Sequence, residues 1–289
     1  FFRLMQTPKG LTDLLKLKQI DAFNFEGQNY QTIWKRVYGG QVLAQSLHAA
    51  YQTIHEDRIV HSLHGYFILP GDITIPIKYS VENLRDGGSF STRRVTAYQN
   101  GKAIFVLSAS FQISQNGLEQ HNDSPAQANP EELVSDTDLL KNTAAVSDRV
   151  KLHLLARNPF AFEFRPEKDF SYRFSPQENR NVWFKLKEQL SLSHQQQQEF
   201  LAYAVDYVLL IMSIISHFQE EFDQPLQVAS LDHAMWYHRP FDVNEWLLFS
   251  MHTPNASGAR CLGQGSIFDR QGNLVATVVQ EGLARPNQS

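Results

Sequence analysis

Residues 201–216 read LAYAVDYVLLIMSIIS. Apolar side chains fill nearly every position, so a helix built from this stretch has no polar face and must be covered on most sides. The preceding residues extend that helix from about Ser193 through Ser216, with HQQQQE at 194–199 reading as a solvated first turn. One residue breaks the pattern. Asp206 lies about 13 residues into the helix, too deep to cap its N-terminus. An ionised carboxylate in an apolar interior costs several kcal/mol unless a partner compensates it or its pKa rises. Two readings follow: a carboxylate that reaches solvent or bonds Tyr203 or Tyr207, or one kept for chemistry.

Downstream of this helix the sequence turns to alternating, strand-like segments, ASLDHAMWYHR, EWLLFSMHT, ARCLGQGSIFD and VATVVQEGLA. The same order occurs earlier in the chain. There, VYGGQVLAQSLHAAYQTI has helical spacing at Val42, Leu43, Leu47, Ala50 and Ile54, and HSLHGYFIL, KYSVENLR, SFSTRRVTAYQ and AIFVLSASFQ follow it. Each half also has an approach to its helix: LTDLLKLKQI, a short amphipathic helix, and AFNFEG in the first, FAFEFR and VWFKLKEQL in the second. The turns repeat too. Pro70 and Asp72 return as Pro240 and Asp242, a shift of 170 residues, and NGK at Asn100 returns as QGN around Gly272. This is an internal duplication.

Each unit reads as an antiparallel sheet wrapped around one long helix, and two units side by side would pair their sheets and remove exposed edges. The expected fold is α+β, a double hotdog. Its expected division is an N-terminal unit at 11–113, a linker at 114–150 rich in Ser, Asn, Gln, Asp and Pro and able to hold a short helix, and a C-terminal unit at 151–286.

Composition narrows the function. The chain has 289 residues, 42% hydrophobic and 12% aromatic, enough for a sizeable core. Its net charge of -4 supplies no basic field for nucleic acid. Cys261 is the single cysteine, so no internal disulfide forms, thiolate metal sites are not expected, and a reducing compartment suits the chain. The apolar run from Leu201 to Ile215 is shorter than the roughly 20 residues of a membrane span. FFRLMQTPKG lacks the order of a signal peptide, and PNQS is not a peroxisomal address of the Ser-Lys-Leu type. A cytoplasmic protein without stable membrane insertion is expected. GxSxG is absent, which argues against a serine hydrolase of the α/β type.

Several longer stretches carry a resemblance: VYGGQVLAQSLHAA at 37–50, VHSLHGYFILPGD at 60–72, LRDGGSFSTRRVTAYQNGKAIF at 84–105, SLDHAMWYHRPF at 230–241, NEWLLF at 244–249 and VQEG at 279–282. Together they resemble the acyl-CoA thioesterase II family, the TesB-like double-hotdog thioesterases. The resemblance implies hydrolysis of medium- to long-chain fatty acyl-CoA to fatty acid and CoA, with no cofactor, no metal and no covalent intermediate. It also implies a water held by three residues, which match Asp206 in YAVDYV, Ser230 in VASLDH and Gln280 in VVQEG. Many relatives carry Thr where this chain has Ser230. In the family, backbone donors for the thioester oxygen come from around the hotdog helix. Gly39 and Gly40 are candidates for that contact, or simply form a tight strand-to-helix turn. Arg93, Arg94 and Arg260 are candidates for the CoA phosphates, with Arg85 and Arg239 behind them. A homo-oligomer, dimer or tetramer, is implied as well.

Two other functions fit a hotdog fold. A hydratase would add water across an enoyl-CoA double bond, but the relatives it resembles carry a His five positions after the helix Asp, where this chain has Ile211. A non-catalytic acyl-CoA sensor would need no Asp206, Ser230 and Gln280 set. His61, His64, His233 and His238 lack metal-binding spacing and read as hydrogen-bonded structural residues between the sheets. Asp232 and His233 could pair along one strand, although adjacent strand positions face opposite ways.

Overall fold

A computed structural model of the chain describes residues 8–30, 35–125, 127–144, 161–169, 178–215 and 226–286. The first half contains α1 (Pro8–Leu15), β1 (Lys18–Gln19), β2 (Asn24–Gly27), α2 (Gly39–Tyr51), β3 (Arg58–Phe67), β4 (Ile77–Asp86), β5 (Phe90–Gln99) and β6 (Lys102–Ile113). A 3-10 turn (Pro130–Glu132) and α3 (Asp136–Asn142) lie between the halves. The second half contains β7 (Phe162–Pro166), β8 (Arg180–Leu186), α4 (His194–Ile215), β9 (Leu226–Ser230), β10 (Asp232–Tyr237), β11 (Leu247–Ser257), β12 (Arg260–Phe268) and β13 (Leu274–Pro286). The amphipathic segment at 11–20 is helical only to Leu15, because its Lys18 and Gln19 pair with β2 instead.

The described strands form one antiparallel sheet of 13 strands, ordered β1-β2-β4-β5-β6-β3-β10-β13-β12-β11-β8-β7, with β9 on β13. β3 and β10 pair at its centre, Leu63 opposite Met235 and His64 opposite Ala234. The expected pairing of two sheets is this seam. Around it the order β6-β5-β4 on one side matches β13-β12-β11 on the other. The turns repeat in detail: Asp72 Oδ1 accepts from the Thr74 amide at 2.8 Å, and Asp242 Oδ1 accepts from the Asn244 amide at 2.9 Å. Gly101 and Gly272, at the two β-hairpin tips, both have positive φ, 74° and 86°.

α2 and α4 lie against each other, α2 packing on β4, β5 and β6 and α4 on β11, β12 and β13. Every residue of α4 from Gln197 through Leu209 is buried, as an all-apolar helix requires. Contrary to a solvated first turn, the second half of HQQQQE is inside. Its polar groups are buried because each meets a partner. Gln197 bonds Asp242 and the Val243 amide, and Glu199 Oε1 lies 3.0 Å from His48 Nδ1 on α2. Gln198 donates to the Val60 carbonyl at 2.9 Å and accepts from the Tyr51 hydroxyl. The segment between the halves is fastened to the second half: Arg165 donates to the Pro130 carbonyl at 2.8 Å and Trp183 to the Ala128 carbonyl at 3.0 Å.

One irregularity matters for the site. ASLDHAMWYHR reads as one strand but breaks at Leu231. Ser230 pairs with Gly282, whereas Ala234 pairs with Val279, so this side of the ladder holds one extra residue, a β-bulge. The first half has its own register shift, between Val60 and Ser62 on β3.

The Gln198 bridge is testable. Gln198→Leu leaves the buried Val60 carbonyl and Tyr51 hydroxyl without that partner, at about 1–3 kcal/mol for each orphaned group. Thermal unfolding should show a clear fall in melting temperature; an unchanged value would mean that water replaces the amide.

Candidate active site

Asp206 is 6% exposed, so it does not reach solvent. Its Oδ1 accepts from Gln280 Nε2 at 2.7 Å and from Ser230 Oγ at 3.4 Å. Gln280 Nε2 also donates to Ser230 Oγ at 2.9 Å. The three residues expected to act together therefore form one hydrogen-bonded group, drawn from α4, β9 and β13. Gln280 points inward with Val278 and Ala276, following the period-two alternation of β13. Ser230 reaches the same group because of the bulge. In an unbroken strand it would share the outward face of Asp232 and Ala234, and the extra residue at Leu231 turns it inward.

The N-terminus of α2 closes the other side. A Cβ on Gly39 would lie 2.7 Å from Asp206 Oδ2 and 3.1 Å from the Phe67 ring, so only glycine leaves room for the carboxylate. A Cβ on Gly40 would collide with the Tyr203 carbonyl and the Tyr38 ring, so that glycine sets the approach of the two helices. Tyr38, just before α2, donates its hydroxyl to the same Tyr203 carbonyl at 2.7 Å. Burial, then the charge of Asp206, pushes the Tyr38 hydroxyl pKa well up and keeps it protonated. The helix dipole presents partial positive charge to a buried anion, which offsets part of its desolvation.

Gln280 Oε1 is buried and has no hydrogen-bond partner among the described residues. With Nε2 occupied, this carbonyl oxygen is an acceptor ready for a water proton. The group can thus orient a water between a carboxylate base and an amide acceptor, beside the backbone of a helix start.

The arginines considered for the CoA phosphates, Arg93, Arg94, Arg239 and Arg260, each meet protein partners. Arg93 is only 2% exposed, and its guanidinium bonds Thr53, Asn83, Asp86 and the carbonyls of Arg85 and Thr92. A guanidinium so occupied ties the end of α2 to β4 and β5 and is not placed to hold substrate phosphates. Arg94 and Arg260 are about half exposed, 3.5 Å from Glu82 and 2.9 Å from Glu281 respectively. Arg239 bonds Glu119 and the Leu274 carbonyl.

Among the histidines, His61 bonds Ser110 and His238 bonds Thr277, as structural residues would. His64 packs edge-on against Trp236 across the seam, with ring centroids 5.1 Å apart. His233 is different: it is fully buried, neither ring nitrogen has a hydrogen-bond partner among the described residues, and Nδ1 lies 4.0 Å from Asp206 Oδ1. Asp232 does not pair with it but accepts the Glu281 amide at 2.7 Å. The sequence reading leaves out Tyr38 and Phe67 and takes His233 for a hydrogen-bonded structural residue between the sheets. The alternation His233, Met235, Tyr237, all buried, was the available signal for the last.

Comparison with known proteins now bears on this geometry. A model of the acyl-CoA thioesterase family matches residues 155–283, and a model of the acyl-CoA thioesterase N-terminal domain matches residues 28–112. Acyl-CoA thioesterase 2 of Haemophilus influenzae is 38% identical over 278 residues, covering 96% of this chain and 97% of that protein. The chain belongs to the acyl-CoA thioesterase family. The crystal structure of an acyl-CoA thioesterase II from Mycobacterium marinum superposes on this thioesterase with a TM-score of 0.80 at 36% identity, covering 96% of this chain and 99% of that one. A hotdog-fold protein from Alicyclobacillus acidocaldarius, 17% identical over 96% of this chain and 99% of its own, gives a TM-score of 0.73 and shows the fold alone. The double-hotdog architecture is that of this thioesterase.

The two glycines make separable predictions. Gly39→Ala should displace the Asp206 carboxylate and lower thioesterase turnover by about tenfold or more, since a displacement near 1 Å can cost that much. Gly40→Ala should instead lower the melting temperature, because overpacking at a helix contact costs about 1–3 kcal/mol. Steady-state kinetics and thermal melts of both variants separate the effects; wild-type turnover in Gly39→Ala would contradict the close approach.

Proposed function

We propose that this thioesterase hydrolyses medium- to long-chain fatty acyl-CoA to the fatty acid and CoA, with Asp206 as general base and Ser230 and Gln280 holding the attacking water. The observation that carries this reading is the shared contact of Gln280 and Ser230 with one oxygen of a buried carboxylate. Asp206 takes a proton from the water as its oxygen attacks the thioester carbonyl carbon. Gln280 Oε1 accepts a hydrogen bond from the water's other O–H, which stays on the oxygen, and so fixes its orientation. The carbonyl π electrons move to the oxygen, giving a tetrahedral oxyanion. The amides of Gly39 and Gly40, in the first turn of α2 where N–H groups have no intrahelical acceptor, stabilise that charge. Collapse breaks the carbon–sulfur bond, and the proton held by Asp206 passes to the departing thiolate. Atoms and charge balance, and no group on the protein is acylated.

Arg94 and Arg260 are the arginines retained for the CoA phosphates, and their substitution should raise KM rather than lower kcat. Residues 11–113 and 151–286 are assigned as the two hotdog units with 114–150 between them. The single cysteine supports a cytoplasmic setting, and among the described residues no helix is long and apolar enough to cross a membrane. Tyr66 is 66% exposed at the seam, which supports burial of the outer sheet face in a homo-oligomer. Neither a hydratase nor a sensor is favoured by any feature of the site.

The test is release of CoA thiol from palmitoyl-CoA and octanoyl-CoA. Asp206→Asn should lose about 100-fold or more in kcat, the scale for loss of a general base. Gln280→Ala and Ser230→Ala should lose about tenfold or more for the same reason, and Ser230→Thr should retain turnover because the hydroxyl persists. If Asp206→Asn and Gln280→Ala both stay within a factor of about two of wild type, these residues are structural and the assignment fails.

A further inference from the structure

Around Asp206 one polar side chain is left without a task. His233 lies on β10 at the central seam, fully buried, and neither ring nitrogen has a hydrogen-bond partner among the described residues. A neutral imidazole carries one N–H and one lone pair, and leaving a buried donor unpaired costs free energy that an apolar residue of similar size would not. Nδ1 lies 4.0 Å from Asp206 Oδ1, the same oxygen that Gln280 and Ser230 contact. That gap is longer than a hydrogen bond, but short enough for a small shift to close it. Catalytic hydrogen bonds are often long in the empty site and tighten when substrate is bound.

We propose that His233 is a positioning residue for Asp206: its neutral ring, protonated on Nδ1, donates to the carboxylate in the substrate complex and keeps the base ionised and aimed at the water. The inference rests on Asp206 being the base. Burial holds the imidazole neutral, with its pKa pushed down to about 3, so it meets the carboxylate as a dipole rather than as a counter-ion. A cation in its place would bind the charge so firmly that the base would weaken; a neutral donor orients it at smaller cost in basicity. Of the titratable groups among the described residues, the Tyr38 hydroxyl before α2 feels the charge of Asp206, and Tyr203 and Tyr207 are its neighbours along α4. Burial raises the pKa values of Tyr38 and Tyr203, so both stay protonated. Ser230 from β9, Gln280 from β13, Gly39 from α2 and Phe67 from β3 add no titrating group. Asp232, beside His233, accepts the Glu281 amide on the opposite face.

The experiment uses geometry within the ring. His233→Asn keeps an N–H near the place of Nδ1, His233→Gln moves it toward the place of Nε2, and His233→Leu has none. Kinetics of octanoyl-CoA hydrolysis across the acid and neutral range, with circular dichroism and thermal melts, read each variant. The Asn variant should keep kcat within a few fold of wild type and the same acid limb in kcat/KM. The Gln and Leu variants should lose about tenfold or more in kcat with little change in KM, and their acid limb should move up by about one pH unit, because a donor to the ionised carboxylate is gone. A wild-type kcat and acid limb in the Leu variant would overturn the proposal. So would an Asn variant that falls as far as the other two, which would mean that His233 only fills space. Should the Leu variant not fold, the comparison of Asn with Gln decides. Asp206→Asn is measured alongside: full turnover there sinks the base assignment itself, while an inactive Asp206→Asn with silent His233 variants sinks only this inference.

Discussion

A buried carboxylate on an otherwise apolar helix is the constraint around which this protein is arranged. Asp206 sits where desolvation opposes its charge, and compensation comes from outside its own helix: an amide from β13, a hydroxyl from β9 and the N-terminus of α2. The first two belong to the second half of the chain and the last to the first half. The carboxylate therefore draws on both halves of the chain. The β3–β10 seam joins them by backbone pairing, and the Gly40 approach to Tyr203 joins them by helix packing. In the proposed mechanism, folding and chemistry depend on the same contacts.

The two halves repeat in strand order and turns but differ in the polar groups they bury. The register shift after Val60 on β3 lies 170 positions before the bulge after Ser230, so both halves bend their strand at the same place. In the second half the residue before the bulge is Ser230, which turns toward a carboxylate. In the first half it is Val60, whose backbone meets Tyr51 from α2 and Gln198 from α4. A closed amide and phenol network occupies the region where an open acceptor would be needed. Among the described residues the Gln280 amide oxygen of the second half has no partner, whereas Val60, Tyr51 and Gln198 bond one another.

Much of this was legible in the sequence because it rests on periodicity and on turn chemistry. The all-apolar helix with Asp206 inside it, the order of the strands and the repeated Asp turns follow from patterns that survive without coordinates, whereas Ser230 and Gln280 join Asp206 only through the family resemblance. What escaped depends on single-residue geometry. The break at Leu231 leaves the composition of ASLDHAMWYHR strand-like, so a run of residues that looks continuous conceals the change of face. Arg93 carries the same charge as a phosphate-binding arginine, and only its neighbours reveal that its guanidinium is already occupied. Gln197, Gln198 and Glu199 read as solvated because polar side chains usually are; their burial depends on partners distant in sequence.

In the proposed mechanism water itself attacks the thioester and Asp206 only removes its proton. A single turnover of acyl-CoA in oxygen-18 water, with enzyme in excess and the fatty acid read by mass spectrometry, tests it most directly. The account predicts one heavy oxygen in the fatty acid from the first turnover and none in Asp206. Unlabelled fatty acid from that turnover, with heavy oxygen found in the Asp206 carboxylate, would show that Asp206 attacked the acyl group and would contradict the account.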